Sequence, residues 1–195
     1  MIGNASANTL NGGSGNDTLT GGNASDVLIG GAGADSINLT ETVAATDTIK
    51  IAAGESLSTG FDRVTGFALG VNTTTTTGVD KLDLASKTIA ANAASVNGVD
   101  KGIIKSHHIE NGVITFDDND AFTTALSLTA SDLTDMLAYL SANITKKGVT
   151  VVANLDGDAY VFQDGGTKDT LVQLIGVTVD SLSNTGLAVD GVWVV

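Results

Sequence analysis

The chain has 195 residues, 22 of them acidic and 9 basic, for a formal net charge of −13. So acidic a surface excludes nucleic acid and anionic membranes as natural partners and favours cations. With no cysteine and only two histidines, disulfides and thiolate zinc centres are excluded as well.

Glycine supplies 24 residues and proline none, while 42% of the chain is hydrophobic and 4% aromatic. Such a chain folds, with a core of Val, Leu, Ile, Ala and Thr suited to thin β-layers. The opening MIGNASANTL carries neither a basic nor an apolar leader region, so no Sec-type signal is read there. No apolar run reaches the roughly 18 residues of a membrane helix, and no membrane insertion is expected. The protein is then either cytoplasmic or exported by a route that does not read its N-terminus.

Three contiguous nine-residue units follow one another: GGSGNDTLT at 12–20, GGNASDVLI at 21–29 and GGAGADSIN at 30–38. An eroded copy, GNASANTLN, occupies 3–11. Position six holds Asn8, Asp17, Asp26 and Asp35, and position eight holds Leu10, Leu19, Leu28 and Ile37. Repetition already under way at residue 3 predicts a longer array upstream.

Beyond Asn38 the strict period dissolves, although Asp47-Thr-Ile-Lys-Ile keeps the acid-x-aliphatic rhythm of a strand. FDRVTGFALG (61–70), a Thr-rich loop at Thr73–Thr77 and GVDKLDLAS (78–86) come next. The run IIKSHHIE (103–110), then Asn111-Gly112, then VITFDD (113–118) predicts a hairpin, because Asn-Gly favours a type I′ turn. Leu133, Met136, Leu137, Leu140 and Ile144 fall at helical spacing, with Ser131 as the cap and Lys146, Lys147 and Gly148 at the end. The tail returns to strands: VTVVANL, a turn at Asp156-Gly157-Asp158, AYVFQ, a turn at Gly165-Gly166, TLVQLIGV, and a closing Asp190-Gly-Val-Trp-Val-Val. The predicted fold is all-β dominated. A short parallel β-roll, a β-solenoid, spans 1–50, and a mixed β-rich domain with one or two helices spans 51–195.

The repeat consensus is G-G-x-G-x-D-x-U-x, with U a large aliphatic. The x-U-x part is a very short strand with one inward apolar residue. Its glycines reach positive φ and let two backbones approach closely. Exposed carbonyls and the aspartate carboxylate make an all-oxygen site, which suits Ca²⁺. A strand and a turn take nine residues, so a coil takes eighteen. Asp17 then faces Asp35 across an ion on one edge, and Asp26 faces Asn8 on the other. The second site is the weaker, since Asn8 is uncharged and Ala24 replaces the glycine of position four. Without the cation the stacked carboxylates repel, so binding and folding become one event. Extracellular calcium modules have Kd around 10⁻⁴–10⁻³ M, and 100-fold excess over Kd adds about 2.7 kcal/mol per site. The expected behaviour is a switch, unfolded in a calcium-poor cytosol and folded outside.

These residues resemble the RTX family, whose members carry glycine-rich nonapeptides and leave Gram-negative bacteria through type I ABC-transporter channels. The strong likeness covers 3–38. A looser one, FDRVTGF…GVDKLDLAS, is similar to the D-x-I-x-D-F-x-x-G-x-D-K-I-D-L stretch of the serralysin-type C-terminal domain. Gly66 stands there in place of the usual aspartate. The resemblance implies carbonyl ligands from positions two and four and a carboxylate from position six. That names Gly13, Gly15 and Asp17; Gly22, Ala24 and Asp26; and Gly31, Gly33 and Asp35, with Gly30 heading the third unit and Asn8 on the opposite edge. It also implies an uncleaved C-terminal secretion signal, for which Asp190 with Val192–Val195 is a candidate, and the same residues can form a terminal strand. The segment DGDAYVFQDGG…DTLVQLIGV is similar to the ends of secreted bacterial surface and S-layer proteins.

The expected role is a non-catalytic, secreted surface module, S-layer or adhesin-like, serving export, calcium-triggered folding and self-association in a lattice. The alternative is the C-terminal domain of a secreted protease or lipase whose catalytic part lies elsewhere. No catalytic residues are assigned, since neither HExxH nor G-x-S-x-G occurs. His107 and His108 read as neighbours on opposite faces of a strand. Asp117, Asp118 and Asp120 could bind calcium or cap a helix starting near Phe122, and the cap is the preferred reading. The sequence leaves open whether these three, or Asp62, Asp80 and Asp83, take a cation.

Overall fold

A computed structural model describes residues 1–70, 78–185 and 192–195. Each nonapeptide supplies one short strand, and successive strands alternate between two sheets. In chain order these are β1 (Thr9–Ser14), β2 (Thr18–Thr20), β3 (Val27–Ala32) and β4 (Ser36–Asn38). Parallel stacking continues through β5 (Thr48–Lys50), β6 (Asp62–Thr65) and β7 (Lys81–Asp83), well past the last intact repeat.

The remaining elements are β8 (Thr88–Ile89), β9 (Ala93–Lys101), β10 (Ile104–Glu110), β11 (Val113–Asp117), helix α1 (Leu133–Asn143), β12 (Val149–Leu155), β13 (Asp158–Gln163), β14 (Thr170–Ile175), β15 (Leu182–Ser183) and β16 (Val192–Val194). One sheet runs β1-β3-β5-β7-β16-β15 and the other β2-β4-β6-β14-β13-β12-β11-β10-β9. The roll is thus closed at its C-terminal end on both sides. β14 joins β6 in parallel, and β16 joins β7 antiparallel. Pairing of this kind covers edges that would otherwise invite other strands.

One aliphatic per coil builds the roll's interior. Leu10, Leu28, Ile49, Leu82 and Val192 lie opposite one another along one sheet. Leu19, Ile37, Val64 and Leu174 do so along the other. Apart from half-buried Leu10, all are buried, each contributing roughly 1.5–3 kcal/mol. Side chains alternate faces along a strand, so β13 and β14 serve two cores. Val161, Val172 and Leu174 face the roll, whereas Phe162 and Leu171 face α1 with Met136, Tyr139 and Leu140. Burial on both faces explains the nearly unbroken apolar runs of these strands.

The Asn111-Gly112 hairpin forms as expected, both residues at positive φ (51° and 81°), and Asp156-Gly157 turns β12 into β13 in the same way (55° and 87°). The helix is present, but its cap differs from expectation. A 3₁₀ turn at Ala130–Asp132 precedes it, and Asp132 Oδ2 accepts from the Thr129 N–H and hydroxyl at 2.8 and 2.9 Å. Ser131 only pairs with the Thr129 hydroxyl. The helix is pinned to β9 by Asn143, which accepts from the Val99 N–H and donates to its carbonyl.

Candidate metal centre

The turns between strands carry two rows of acids, one on each edge of the roll. Asp17, Asp35 and Asp62 form one row. The Asp17 N–H donates to Asp35 Oδ1 at 2.8 Å, and the Asp35 N–H to Asp62 Oδ1 at 2.9 Å. Asn8, Asp26, Asp47 and Asp80 form the other, joined by the same bond at 2.7, 2.8 and 2.9 Å. Asp26, Asp35, Asp47, Asp62 and Asp80 thereby each spend one oxygen on holding the previous coil in register. An oxygen is left over on four of the acids: Oδ2 of Asp17, Asp26, Asp35 and Asp47 is buried without a hydrogen-bond partner, whereas Asp80 Oδ2 accepts the Ala68 N–H.

Glycines make room for these leftover oxygens. A Cβ on Gly12 or Gly21 would come within 2.7 Å of Asp17 Oδ2 or Asp26 Oδ2, and one on Gly30 would overlap Asp35 Oδ2. A Cβ on Gly31 or Gly33 would overlap the carbonyl oxygen of Gly13 or Gly15 on the coil below. The backbones of neighbouring turns thus approach each other where only glycine fits, beside unpartnered carboxylates. Gly13, Gly15, Gly22, Gly31 and Gly33 are all at positive φ. So is Ala24, at 73°, a conformation costing a non-glycine residue roughly 1–2 kcal/mol.

The electrostatics are those of a site short of positive charge. Burial pushes the carboxyls of Asp47 and Asp62 up to about 7, in spite of the N–H groups they accept from Asp26 and Asp35. Neighbouring acids add to this, Asp80 and Glu41 at Asp47, and Asp35 and Glu55 at Asp62. Asp80 rises to about 6 through burial, and Asp35 and Glu41 rise for the same first reason. The ion pairs found among the described residues, Lys50–Asp83 at 3.2 Å and His108–Glu110 at 3.8 Å, lie outside both rows. A buried anion without counter-charge is costly. All-oxygen donors of this kind fit a hard divalent cation such as Ca²⁺.

The structure brings together Asp17 with Asp35 and Asn8 with Asp26, the pairs that eighteen-residue coils require. Sequence reasoning missed Asp47 as a row member and left Asp62 and Asp80 open. Their signal is the triplet Asp-x-aliphatic, present as Asp47-Thr-Ile, Asp62-Arg-Val and Asp80-Lys-Leu. Glu41, from the loop before β5, has no counterpart in the nonapeptide. Asp83 lies off both rows, paired with Lys50.

Asp117 corrects the preferred reading, since no helix starts near Phe122. Instead Asp117 Oδ2 accepts the N–H and hydroxyl of Thr123 and the N–H of Thr124, stapling the loop after β11. These backbone donors hold its carboxyl well below the usual range. Asp118 and Asp120 are exposed. His107 is buried with Nδ1 at 2.9 Å from the Tyr139 hydroxyl, and burial lowers its pKa. His108 points outward with Nδ1 on the Ala94 carbonyl. The Thr73–Thr77 run, Asp190 and Gly191 lie outside the described residues.

No helix among the described residues is long and apolar enough to cross a membrane. No curated protein matches the chain. Residues 2–37 match the family model of the RTX calcium-binding nonapeptide repeat, in four copies. The chain therefore carries an RTX nonapeptide array over these residues, and such repeats bind calcium ions.

Proposed function

We propose that this chain is a non-catalytic, calcium-folded module of a type I secreted bacterial surface protein, S-layer or adhesin-like. The observation that carries the reading is the pair of acid rows with their buried, unpartnered Oδ2 atoms. Gly13, Gly15, Asp17, Gly31, Gly33 and Asp35 hold calcium on one edge. Asn8, Gly22, Ala24 and Asp26 hold it on the other, and Gly30 gives Asp35 the space it needs. In a calcium-poor cytosol these rows repel, and the chain stays open enough for a narrow channel. Outside the cell, millimolar calcium neutralises them and winds the roll.

The closing Val192–Val195 segment supports a coupling between export and folding. Val192, Trp193 and Val194 are buried in the folded protein, against β7 and β15. A signal located there is readable only before the roll closes. The net charge of −13 favours calcium-bridged contacts between copies over direct ones.

Secretion from a Gram-negative host carrying a type I channel tests this, with chains ending at residue 195 and at residue 184. Export of the first alone supports the reading. Equal export of both places the signal elsewhere and contradicts it. Light scattering of the exported protein with calcium and with chelator then tests assembly. Growth of large particles only in calcium is the expected result, and a monomer in both contradicts the lattice role.

A further inference from the structure

We infer that Glu41, Asp47 and Asp80 form a further calcium site, outside the nonapeptide array, which fastens the loop before β5 to the start of β7. One oxygen from each carboxylate lies within 4.8 Å of the others. Oxygens bound to Ca²⁺ at about 2.4 Å are separated by no more than about twice that distance, so all three can share an ion.

Acidic clusters are common on protein surfaces, but this one is not a surface cluster. Asp47 is fully buried and Asp80 nearly so. Asp47 Oδ1 accepts the Asp26 N–H, while its Oδ2 is buried with no partner. Glu41 repeats the arrangement: Oε1 accepts the Ala45 N–H at 3.3 Å, and Oε2 is buried without a partner. Asp80 is held rigidly by the N–H groups of Asp47 and Ala68 at 2.9 and 2.8 Å. Two buried carboxylates and a half-buried third, with no ion pair to a basic side chain among the described residues, leave charge and the Asp47 Oδ2 and Glu41 Oε2 lone pairs unanswered.

Glu41 is what makes the site distinct. Counting back from Asp47 as position six, the glycine turn of the repeat is replaced by Thr42-Val43-Ala44-Ala45. A side-chain carboxylate stands in for the lost turn. A cleft of about 280 Å³ bordered by Glu41, Gly66, Ala68, Gly78 and Asp80 has room for the waters that calcium's six to eight ligands require.

The test is the number of calcium ions retained by the full chain after equilibrium dialysis against millimolar calcium, read by elemental analysis. Glu41→Gln is expected to lose one ion relative to the native chain while keeping its circular dichroism spectrum. Glu41→Lys, which puts an ammonium group between Asp47 and Asp80, is the second variant and is also expected to bind one ion fewer. An unchanged count in both variants overturns the site. Asp35→Asn, on the opposite edge, probes the repeat ions separately. If it lowers the count while both Glu41 variants do not, this inference falls and the repeat reading stands. A native chain that retains no calcium sinks both.

Discussion

The N–H of Asp47 reaches Asp80 Oδ1 at 2.9 Å across 33 residues of chain, the same bond that Asp17 makes to Asp35 at 2.8 Å across 18. The offset grows from 18 to 21, 27 and 33 residues along the roll. Yet the acid corner and the inward aliphatic two residues later recur on each coil. Added length is absorbed in loops at the edges, so the roll keeps its cross-section after its repeat is lost.

Asp35 sits in the middle of a row, accepting from Asp17 and donating its N–H to Asp62. Asp35→Ala removes a carboxylate proposed to hold calcium and leaves the Asp17 N–H without its acceptor. Calcium affinity measured by calorimetry is expected to fall at least tenfold, about 1.4 kcal/mol. Asp83→Ala breaks one ion pair with half-exposed Lys50, a change worth about 0–1 kcal/mol, and affinity is expected to hold. Equal losses in the two variants contradict the assignment of rows.

Gly31 and Gly157 share positive φ values, 95° and 87°, but not surroundings. A Cβ on Gly31 overlaps the Gly13 carbonyl oxygen, whereas one on Gly157 meets nothing within 4 Å. Gly157→Ala should therefore cost only the conformational penalty, roughly 1–2 kcal/mol. Gly31→Ala should prevent adjacent turns from closing and abolish the calcium-induced gain of β-structure. Circular dichroism across a calcium titration, with a thermal melt at its plateau, separates the two outcomes.

The raised carboxyls fix a pH dependence for the chelated protein. Asp47 and Asp62 stand at about 7 and Asp80 at about 6 when folded, against 3.8 in the unfolded chain. Between about pH 4 and 7 the folded state keeps protons that the unfolded state has released, so stability falls as pH rises through this window. His107 acts in the opposite sense, because its pKa is lowered by burial and acid costs it stability below about 6.5. With several acids against one histidine, the chelated chain is expected to hold more β-structure by circular dichroism at pH 5 than at pH 7.5. Calcium should reverse the order, since ions replace the protons. A chelated chain with more β-structure at pH 7.5 than at pH 5 would contradict this balance.

Tyr139 and His107 lie in the other core, on the face of the large sheet away from the roll. Tyr139→Phe deprives a buried ring nitrogen of its partner at a cost of about 1–3 kcal/mol. Denaturant titration should show that loss. Calcium affinity should be unchanged, and a large fall in affinity would show that the two cores are not separate.

The array was legible because each glycine and aspartate of 12–38 has a fixed place in an eighteen-residue coil. Asn111-Gly112 and Asp156-Gly157 were legible because their turns need two residues at positive φ. Asp62 and Asp80 could not be placed from spacing, since loops of unrelated length separate them from Asp35 and Asp47. Only the lateral pairing of Ile37 with Val64 and Ile49 with Leu82 puts them in line. Glu41 was hidden for a further reason: its partners become neighbours only when β5 and β7 stack. At Asp117 the local run of acids resembled a cap, and tertiary structure used it to staple a loop instead.

The most direct test is a calcium titration of the chelated chain at pH 7.5, followed by far-ultraviolet circular dichroism with the bound ions counted at the plateau. A cooperative gain of β-structure by millimolar calcium is expected, with more than one ion per chain. A chain fully β-structured in chelator, or one that binds no calcium at millimolar concentration, would contradict it.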